Sequence, residues 1–135
     1  MIAVFTGTRQ GTPRGVTAVH LKLEDLRRSF GAELSVFVGD CPTGIDRYVR
    51  SVCADLGIDY ATFNANWAYS KKRAGPKRNT FMVHVAANLR IAGGQVEVFY
   101  YAPPGVKCSG TRNCVVSAKF SKLTCYPLGD SVELP

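Results

Sequence analysis

Two nearly continuous apolar runs open the chain, Ile2–Thr6 and Leu34–Val38, and neither alternates with polar residues. Unbroken apolar runs are typical of parallel strands that are covered on both faces. The stretch between them carries apolar residues at helical spacing, namely Val19, Leu23, Leu26 and Phe30. Gly31 then supplies a stop signal for this helix. The pattern therefore predicts a first β-α-β unit.

The alternation continues to the end of the chain. A second helix is predicted to begin near Thr43, which can cap its first turn, with Asp46 reaching back, and to end at Gly57. The further predicted elements are a strand at Asp59–Phe63, an irregular stretch from Asn64 to Lys72, a helix from Gly75-Pro76 to about Leu89, a strand at Val96–Tyr101, a helix at Thr111–Phe120 and a strand at Leu123–Tyr126. The packing face of the third helix is predicted as Phe81, Met82, Val85, Ala86 and Leu89.

This order of elements predicts an α/β fold: a single Rossmann-like domain with a doubly wound, mostly parallel sheet of about five strands. The domain is expected to span residues 1–127. Residues 128–135 are expected to form a dispensable C-terminal tail.

Composition limits the classes of function. No run of about 18 apolar residues occurs, and the start of the chain lacks a signal-peptide pattern, so we expect a soluble, cytoplasmic protein without a membrane partner. The five cysteines include no Cys-x-x-Cys pair, so we expect reduced thiols and assign neither a metal site nor a cofactor. A net charge of +7 favours an anionic partner, which could be a nucleotide, a nucleic acid or an acidic protein.

Glycine-rich segments follow three of the predicted strands. In open α/β sheets ligands bind outside the carboxyl ends of the strands. There, glycine admits a ligand close to backbone amides, and hydroxyl or charged side chains meet phosphate or ribose. The segments are Gly7-Thr8-Arg9 after the first strand, Gly39-Asp40 with Thr43-Gly44-Ile45-Asp46 after the second, and Ser109-Gly110-Thr111 after the fourth strand and Pro103-Pro104-Gly105.

Each of these residues taken singly has a plainer interpretation. Gly7 and Gly39 are also typical of simple turns. Arg9 suits two-pronged phosphate binding but equally a surface ion pair. Asp46 is more typical of a helix cap than of a catalyst, and Asp40 suits either ribose binding or a turn.

A basic and aromatic segment precedes and opens the third helix. Trp67 and Tyr69 could stack on a base or form a lid over the edge of the core. Four side chains then cluster at the amino end of the helix, where unpaired amides and the positive end of the helix dipole favour an anion. They are Arg73, Lys77, Arg78 and Asn79. Arg78 in particular is expected to face phosphate and to contribute no core packing.

Taken together, these motifs resemble the YspA-like branch of the SLOG superfamily, named for the Smf/DprA and LOG proteins. The resemblance covers roughly residues 1–126 and rests on Gly7-Thr8-Arg9, Gly39-Asp40-x-x-x-Gly44-x-Asp46, and Trp67 with Ala74-Gly75-Pro76-x-Arg78-Asn79-x-x-Met82. It implies a Rossmann-like sheet, a dimer or larger assembly, and a pocket for nucleotides or their ribosyl derivatives. The pocket residues that it implies are Arg9, Asp40, Asp46, Arg78, Asn79, Ser109, Gly110 and Thr111.

One departure from the family pattern bears on activity. Phosphoribohydrolases of the superfamily carry a glutamate in their last loop, whereas Cys114 follows Gly110-Thr111-Arg112-Asn113 here. We therefore predict a binder that senses or sequesters an ADP-ribose-like or cyclic nucleotide signal, for example as a stand-alone viral anti-defence sponge. The alternatives are a nucleotide phosphoribohydrolase that uses Asp40 or Asp46, and single-stranded nucleic-acid binding through Trp67, Tyr69 and the Lys71–Arg78 run.

Overall fold

The computed structural model describes residues 1–135 as one α/β domain. Its strands are β1 (Ile2–Gly7), β2 (Ser35–Gly39), β3 (Asp59–Phe63), β4 (Val96–Tyr101) and β5 (Thr124–Pro127). Its helices are α1 (Pro13–Phe30), α2 (Gly44–Leu56), α3 (Trp67–Ser70), α4 (Ala74–Ile91) and α5 (Ser109–Phe120). The predicted α/β class and the five-stranded sheet are confirmed.

All pairings in the sheet are parallel, in the order β3-β2-β1-β4-β5. The chain moves outward from β1 to β3, then returns to pair β4 with the other side of β1. This reversal of strand order opens a crevice beyond the carboxyl ends of β1 and β4, which is the usual ligand position in doubly wound sheets.

Hydrophobic clusters cover the two faces of the sheet. On one face Val19 and Leu23 of α1 and Ile45 and Val49 of α2 pack with Phe5 of β1. The opposite face carries a second cluster, made with α4 and α5: Val4, Phe37, Met82, Val83, Ala86, Ala87, Val96, Val98, Cys114, Ala118 and Leu123. Two covered faces explain why the strands are apolar without alternation.

The packing face predicted for the third helix, which is α4 in the structure, is partly wrong. Phe81 and Leu89 are 62% and 40% exposed, whereas Val83 and Ala87 are buried beside Met82 and Ala86. This helix carries apolar residues on both sides, so periodicity could not choose the face that meets the sheet. The smaller side chains Val83 and Ala87 occupy the sheet side.

The stretch predicted as irregular, 64–72, contains the short helix α3 and the start of a 3₁₀ turn at Lys71–Arg73. The Asn66 side chain accepts a hydrogen bond from the Tyr69 amide at 3.2 Å and so caps α3. Because the 3₁₀ turn runs directly into α4, the Ala74 amide already donates to the Lys71 carbonyl. The amino end of α4 therefore offers fewer free amides than the sequence predicts.

The residues after Pro127 pack against the domain, whereas the sequence predicts a tail outside it. Leu128 and Leu134 are buried, and the Leu134 amide donates to the Tyr100 hydroxyl at 2.9 Å. The Tyr101 hydroxyl donates to Asp130 at 2.7 Å. The tail thereby adds to the cover that α5 gives to Tyr100, since Leu134 clusters with Tyr100 and Val115.

None of the helices combines the length and the apolar character that crossing a lipid bilayer requires.

Candidate functional site

A cavity of about 720 Å³ lies at the switch point of the sheet, beyond β1 and β4. We call it the nucleotide cavity, after the ligand that the sequence predicts. Its volume lies within the range of small-ligand sites. Ten of the residues predicted from the sequence line it: Gly7, Thr8, Arg9, Asp46, Trp67, Arg78, Asn79, Ser109, Gly110 and Thr111.

Five predicted site residues lie outside the wall of the nucleotide cavity: Gly39, Asp40, Thr43, Gly44 and Lys77. Tyr69 is also absent from the wall, and its side chain is 83% exposed. Lys77 is exposed and donates a hydrogen bond to the Ser70 hydroxyl at 3.3 Å. The other four hold the surrounding loops in place.

The loop after β1 is anchored to the amino end of α2. The Ile45 amide donates to the Thr8 carbonyl at 3.1 Å. The Thr43 hydroxyl donates to the Arg9 carbonyl at 2.9 Å. Thr43 stands at the capping position of α2, as predicted, but its side chain makes no capping bond to the helix. The sequence could not show this, because the acceptor lies far away in the chain. These bonds fix the backbone that carries Arg9 into the cavity.

Asp40 and Arg78 form a largely buried ion pair across the end of β2. Arg78 Nη1 donates to Asp40 Oδ1 at 2.7 Å, with side-chain exposures of 10% and 19% for Arg78 and Asp40. The other oxygen of Asp40 accepts from the Ala65 amide at 3.0 Å. Both oxygens of Asp40 are therefore already hydrogen-bonded, and the predicted ribose-binding role of Asp40 is not supported by its position.

A polar chain runs on from this pair to the amino end of α5. Arg78 Nε donates to Asn79 Oδ1 at 2.7 Å, and Asn79 Nδ2 donates to the Gly110 carbonyl at 3.2 Å. Asp40, Arg78, Asn79 and Gly110 thereby connect β2, α4 and α5. Arg78 Nη2 makes no hydrogen bond to the protein, so Arg78 still presents a donor at the cavity wall.

Asp46 is the only carboxylate on the wall, and it is 7% exposed. Burial raises its pKa, and the positive charge of Arg78 and a hydrogen bond from the Cys41 amide offset only part of that rise. As predicted, the Asp46 side chain reaches back past the start of α2: its Oδ2 accepts a hydrogen bond from the Cys41 amide at 3.3 Å. A Cβ on Gly39 would overlap both Arg78 and Asp46, so glycine here is required for their close approach.

Arg50 of α2 has a positioning role that sequence analysis missed. Its guanidinium donates to the Gly39 carbonyl, and to the Cys41 carbonyl at 2.8 Å. These bonds shape the turn that carries the Cys41 amide to Asp46. No sequence pattern marks Arg50, since it belongs to an ordinary helical turn and only the fold brings it to this loop.

The amino end of α5 meets the cavity with polar groups that have no partner in the protein. Thr111 is 2% exposed, and its hydroxyl makes no hydrogen bond. Cys108 occupies the capping position of α5 but makes no side-chain cap, and no acidic residue lies in the first turn. A buried unpaired hydroxyl is uncommon, because leaving it unsatisfied costs about 1–3 kcal/mol.

Positive charge dominates the cavity wall. Four basic side chains line it against the single carboxylate of Asp46: Arg9, Lys72, Arg78 and Lys107. The Arg9 guanidinium lies 5.8 Å from the centroid of the Trp67 ring, which is within the range of a cation–π contact. The cavity therefore combines an anion-attracting wall with one partly exposed aromatic surface.

Comparison with protein-family models gives no match, and comparison with curated proteins gives no match either. Membership of the YspA-like branch stays a prediction that rests on the quoted motifs.

Cys114, which stands where the resemblance predicts a glutamate, lies in the core and not on the cavity wall. Burial raises the pKa of its thiol to about 12, while a hydrogen bond with Thr6 partly offsets the rise. Burial likewise raises the pKa of the Cys53 thiol to about 12. Neither thiol is ionised at neutral pH, so Cys114 cannot replace a catalytic carboxylate.

We expect iodoacetamide at pH 8 to label the partly exposed Cys41 and Cys108 and to spare Cys53 and Cys114. Alkylation requires an ionised thiol that the reagent can reach. Mass mapping of the alkylated peptides gives the result, and labelling in denaturant, which should reach all of these cysteines, is the control. Modification of Cys114 as fast as Cys41 in the native protein would contradict its placement in the core.

Proposed function

We propose that this protein binds a phosphate-bearing nucleotide derivative in the nucleotide cavity and holds it without cleaving it. The observation that carries the proposal is the unpaired, buried hydroxyl of Thr111 at the uncapped amino end of α5. A phosphate oxygen is a suitable acceptor for this hydroxyl and for the free amides beside it.

The phosphate position follows from the first turn of α5. The first helical hydrogen bond there runs from the Arg112 amide to the Cys108 carbonyl at 2.9 Å. The amides of Ser109, Gly110 and Thr111 precede it and have no helical acceptor. They point along the helix axis, where the dipole adds a further attraction for an anion. Lys107, the neighbouring residue on the cavity wall, supplies a full positive charge.

The base of the nucleotide is assigned to the Trp67 surface. Trp67 is 45% exposed and lines the same cavity as the amino end of α5. A flat aromatic ring with Arg9 beside it suits stacking on a nucleobase. Trp67 is also the only tryptophan of the chain, so its fluorescence reports directly on this cavity.

Binding without cleavage is supported by the state of the acidic and thiol groups. Cutting an N-glycosidic bond requires a group that activates water near the sugar. Asp40 is tied to Arg78 and Ala65, and the Cys114 thiol is buried and neutral. We therefore place the protein among binders that sense or sequester an ADP-ribose-like or cyclic nucleotide signal.

A hydrolase is the second candidate, favoured by one observation: Asp46 lies on the cavity wall with a raised pKa. Incubating the protein with AMP and with ADP-ribose, followed by chromatography, separates the two functions. The binder returns intact ligand after heat denaturation, whereas a hydrolase releases free adenine from either ligand, together with ribose 5-phosphate from AMP or the base-free diphosphate from ADP-ribose.

Replacement of Thr111 by valine tests the proposed phosphate position. We expect Thr111→Val to leave the free energy of unfolding unchanged or to raise it, because the substitution removes an unsatisfied buried hydroxyl. We expect the same substitution to weaken AMP binding about fivefold to tenfold, because a hydrogen bond to phosphate is lost. Urea unfolding and titration of Trp67 fluorescence measure the two effects.

Thr124→Val is the matched control, since Thr124 is exposed at the first position of β5, where it pairs with Glu97 near the start of β4, at the end of the strands away from the cavity. It should change neither AMP affinity nor the fluorescence response. Unaltered AMP affinity in Thr111→Val, with the fold intact, would show that the phosphate does not bind at this position.

A further inference from the structure

A second cavity of about 520 Å³ lies at the loop that leads into α5 and at the first turns of that helix. We call it the second lobe. It shares five wall residues with the nucleotide cavity: Val106, Lys107, Cys108, Ser109 and Asn113. The two cavities therefore adjoin at one loop, and only Arg112 and Val116 belong to the second lobe alone.

The charges of the second lobe have one sign. Lys107 and Arg112 are its charged residues, both are exposed, and no carboxylate lines it. Neither of them takes part in an ion pair within the protein. Since neither charge is neutralised by the protein, both are available to an anionic group.

The second lobe also offers apolar surface. Arg112 and Val116 are four residues apart and lie on the same side of α5. Val116 is 52% exposed, and Val106 faces the same cavity from the loop. A wall of two cations and two valines suits a part of a ligand that carries both a phosphate and a sugar or a second nucleoside.

We infer that the ligand is a nucleoside diphosphate ester, with a sugar or a second nucleoside beyond its diphosphate, and that this second half occupies the second lobe. The inference rests on the proposed function, which places the first phosphate at the amino end of α5. Ser109 begins α5 and lines both cavities, so a phosphate bound there has the nucleotide cavity on one side and the second lobe on the other. Arg112 and Lys107 then bind the second phosphate and its substituent.

Calorimetric titration with AMP and ADP-ribose tests the inference. We expect the unmodified protein to bind ADP-ribose at least about tenfold more tightly than AMP, because the second phosphate adds charge-assisted hydrogen bonds. In Arg112→Gln most of that advantage should disappear while AMP affinity stays within about twofold. Arg90→Gln removes an equal charge about 18 Å further along α4 from Arg78 and should alter neither affinity.

The outcomes separate the two proposals. Failure of both AMP and ADP-ribose to bind would overturn the proposed function. Equal affinities for AMP and ADP-ribose, unaltered in Arg112→Gln, would overturn the inference that the second lobe binds part of the ligand and would leave the proposed function standing. An equal loss of affinity for both ligands in Arg112→Gln would also overturn this inference, because Arg112 would then act on binding in the nucleotide cavity itself.

Discussion

Arg78→Ala is expected to destabilise the protein by about 3–5 kcal/mol, which is a large share of the stability of a domain of this size. The substitution leaves the Asp40 carboxylate buried without its charge partner and removes one of the charges that oppose the rise of the Asp46 pKa. It also breaks the polar chain through Asn79 to the amino end of α5. Urea unfolding measures the loss.

Lys77→Ala is the matched control for Arg78→Ala. Lys77 carries the same charge one position earlier on α4, but it is exposed and makes a single long hydrogen bond to Ser70. We expect its removal to change stability by less than about 0.5 kcal/mol. A double substitution of Asp40 and Arg78 should be less damaging than the sum of the two single substitutions. Additive effects, or a stable Arg78→Ala, would show that the pair does not hold α4 to β2.

Gly44→Ala is expected to have a similarly large effect, a loss of about 3 kcal/mol or more. Gly44 has φ +70°, and a Cβ there would come closer than 3.0 Å to the backbone of Thr8 and Arg9. Backbone atoms cannot move aside as the end of a flexible side chain can. The substitution should therefore force α2 away from the loop that carries Arg9, and it should weaken AMP binding as well as lower the urea midpoint.

Gly57→Ala separates strain from crowding, because Gly57 ends the same helix with φ +68° and has no atom within 4 Å of a Cβ. Only the left-handed backbone penalty applies there, about 1–2 kcal/mol. We expect Gly57→Ala to be clearly milder than Gly44→Ala and to leave AMP binding intact. Equal losses from the two substitutions would show that the close approach at Gly44 contributes nothing.

Arg78 shows how far sequence reasoning reached and where it stopped. The cluster around Arg78 and Asn79 was predicted to lie at the site, and both side chains line the nucleotide cavity. The prediction that Arg78 contributes nothing to packing was wrong, because its side chain is largely buried against Asp40. The sequence could not show this contact, since Asp40 is 38 positions away. A charge pattern along the chain cannot report which opposite charge will fold against it.

The hydroxyls of Thr43 and Thr111 make the same point. Both were marked as site residues because a hydroxyl beside glycine suits phosphate. In the structure Thr43 bonds the Arg9 carbonyl, whereas the Thr111 hydroxyl has no partner in the protein. Whether a predicted donor is used within the fold or left for a ligand depends on neighbours that are distant in sequence.

The sequence by itself determined the α/β class, the bounds of the strands to within a residue or two, and the gathering of polar loops at one edge of the sheet. These features follow from local periodicity and from the rule that parallel strands end at a common edge. Only the tertiary structure decided which face of α4 is buried, that residues 128–135 complete the core, and that Asp40 is already hydrogen-bonded within the fold. Burial and pairing depend on contacts between segments far apart in the chain, and no local pattern encodes those contacts.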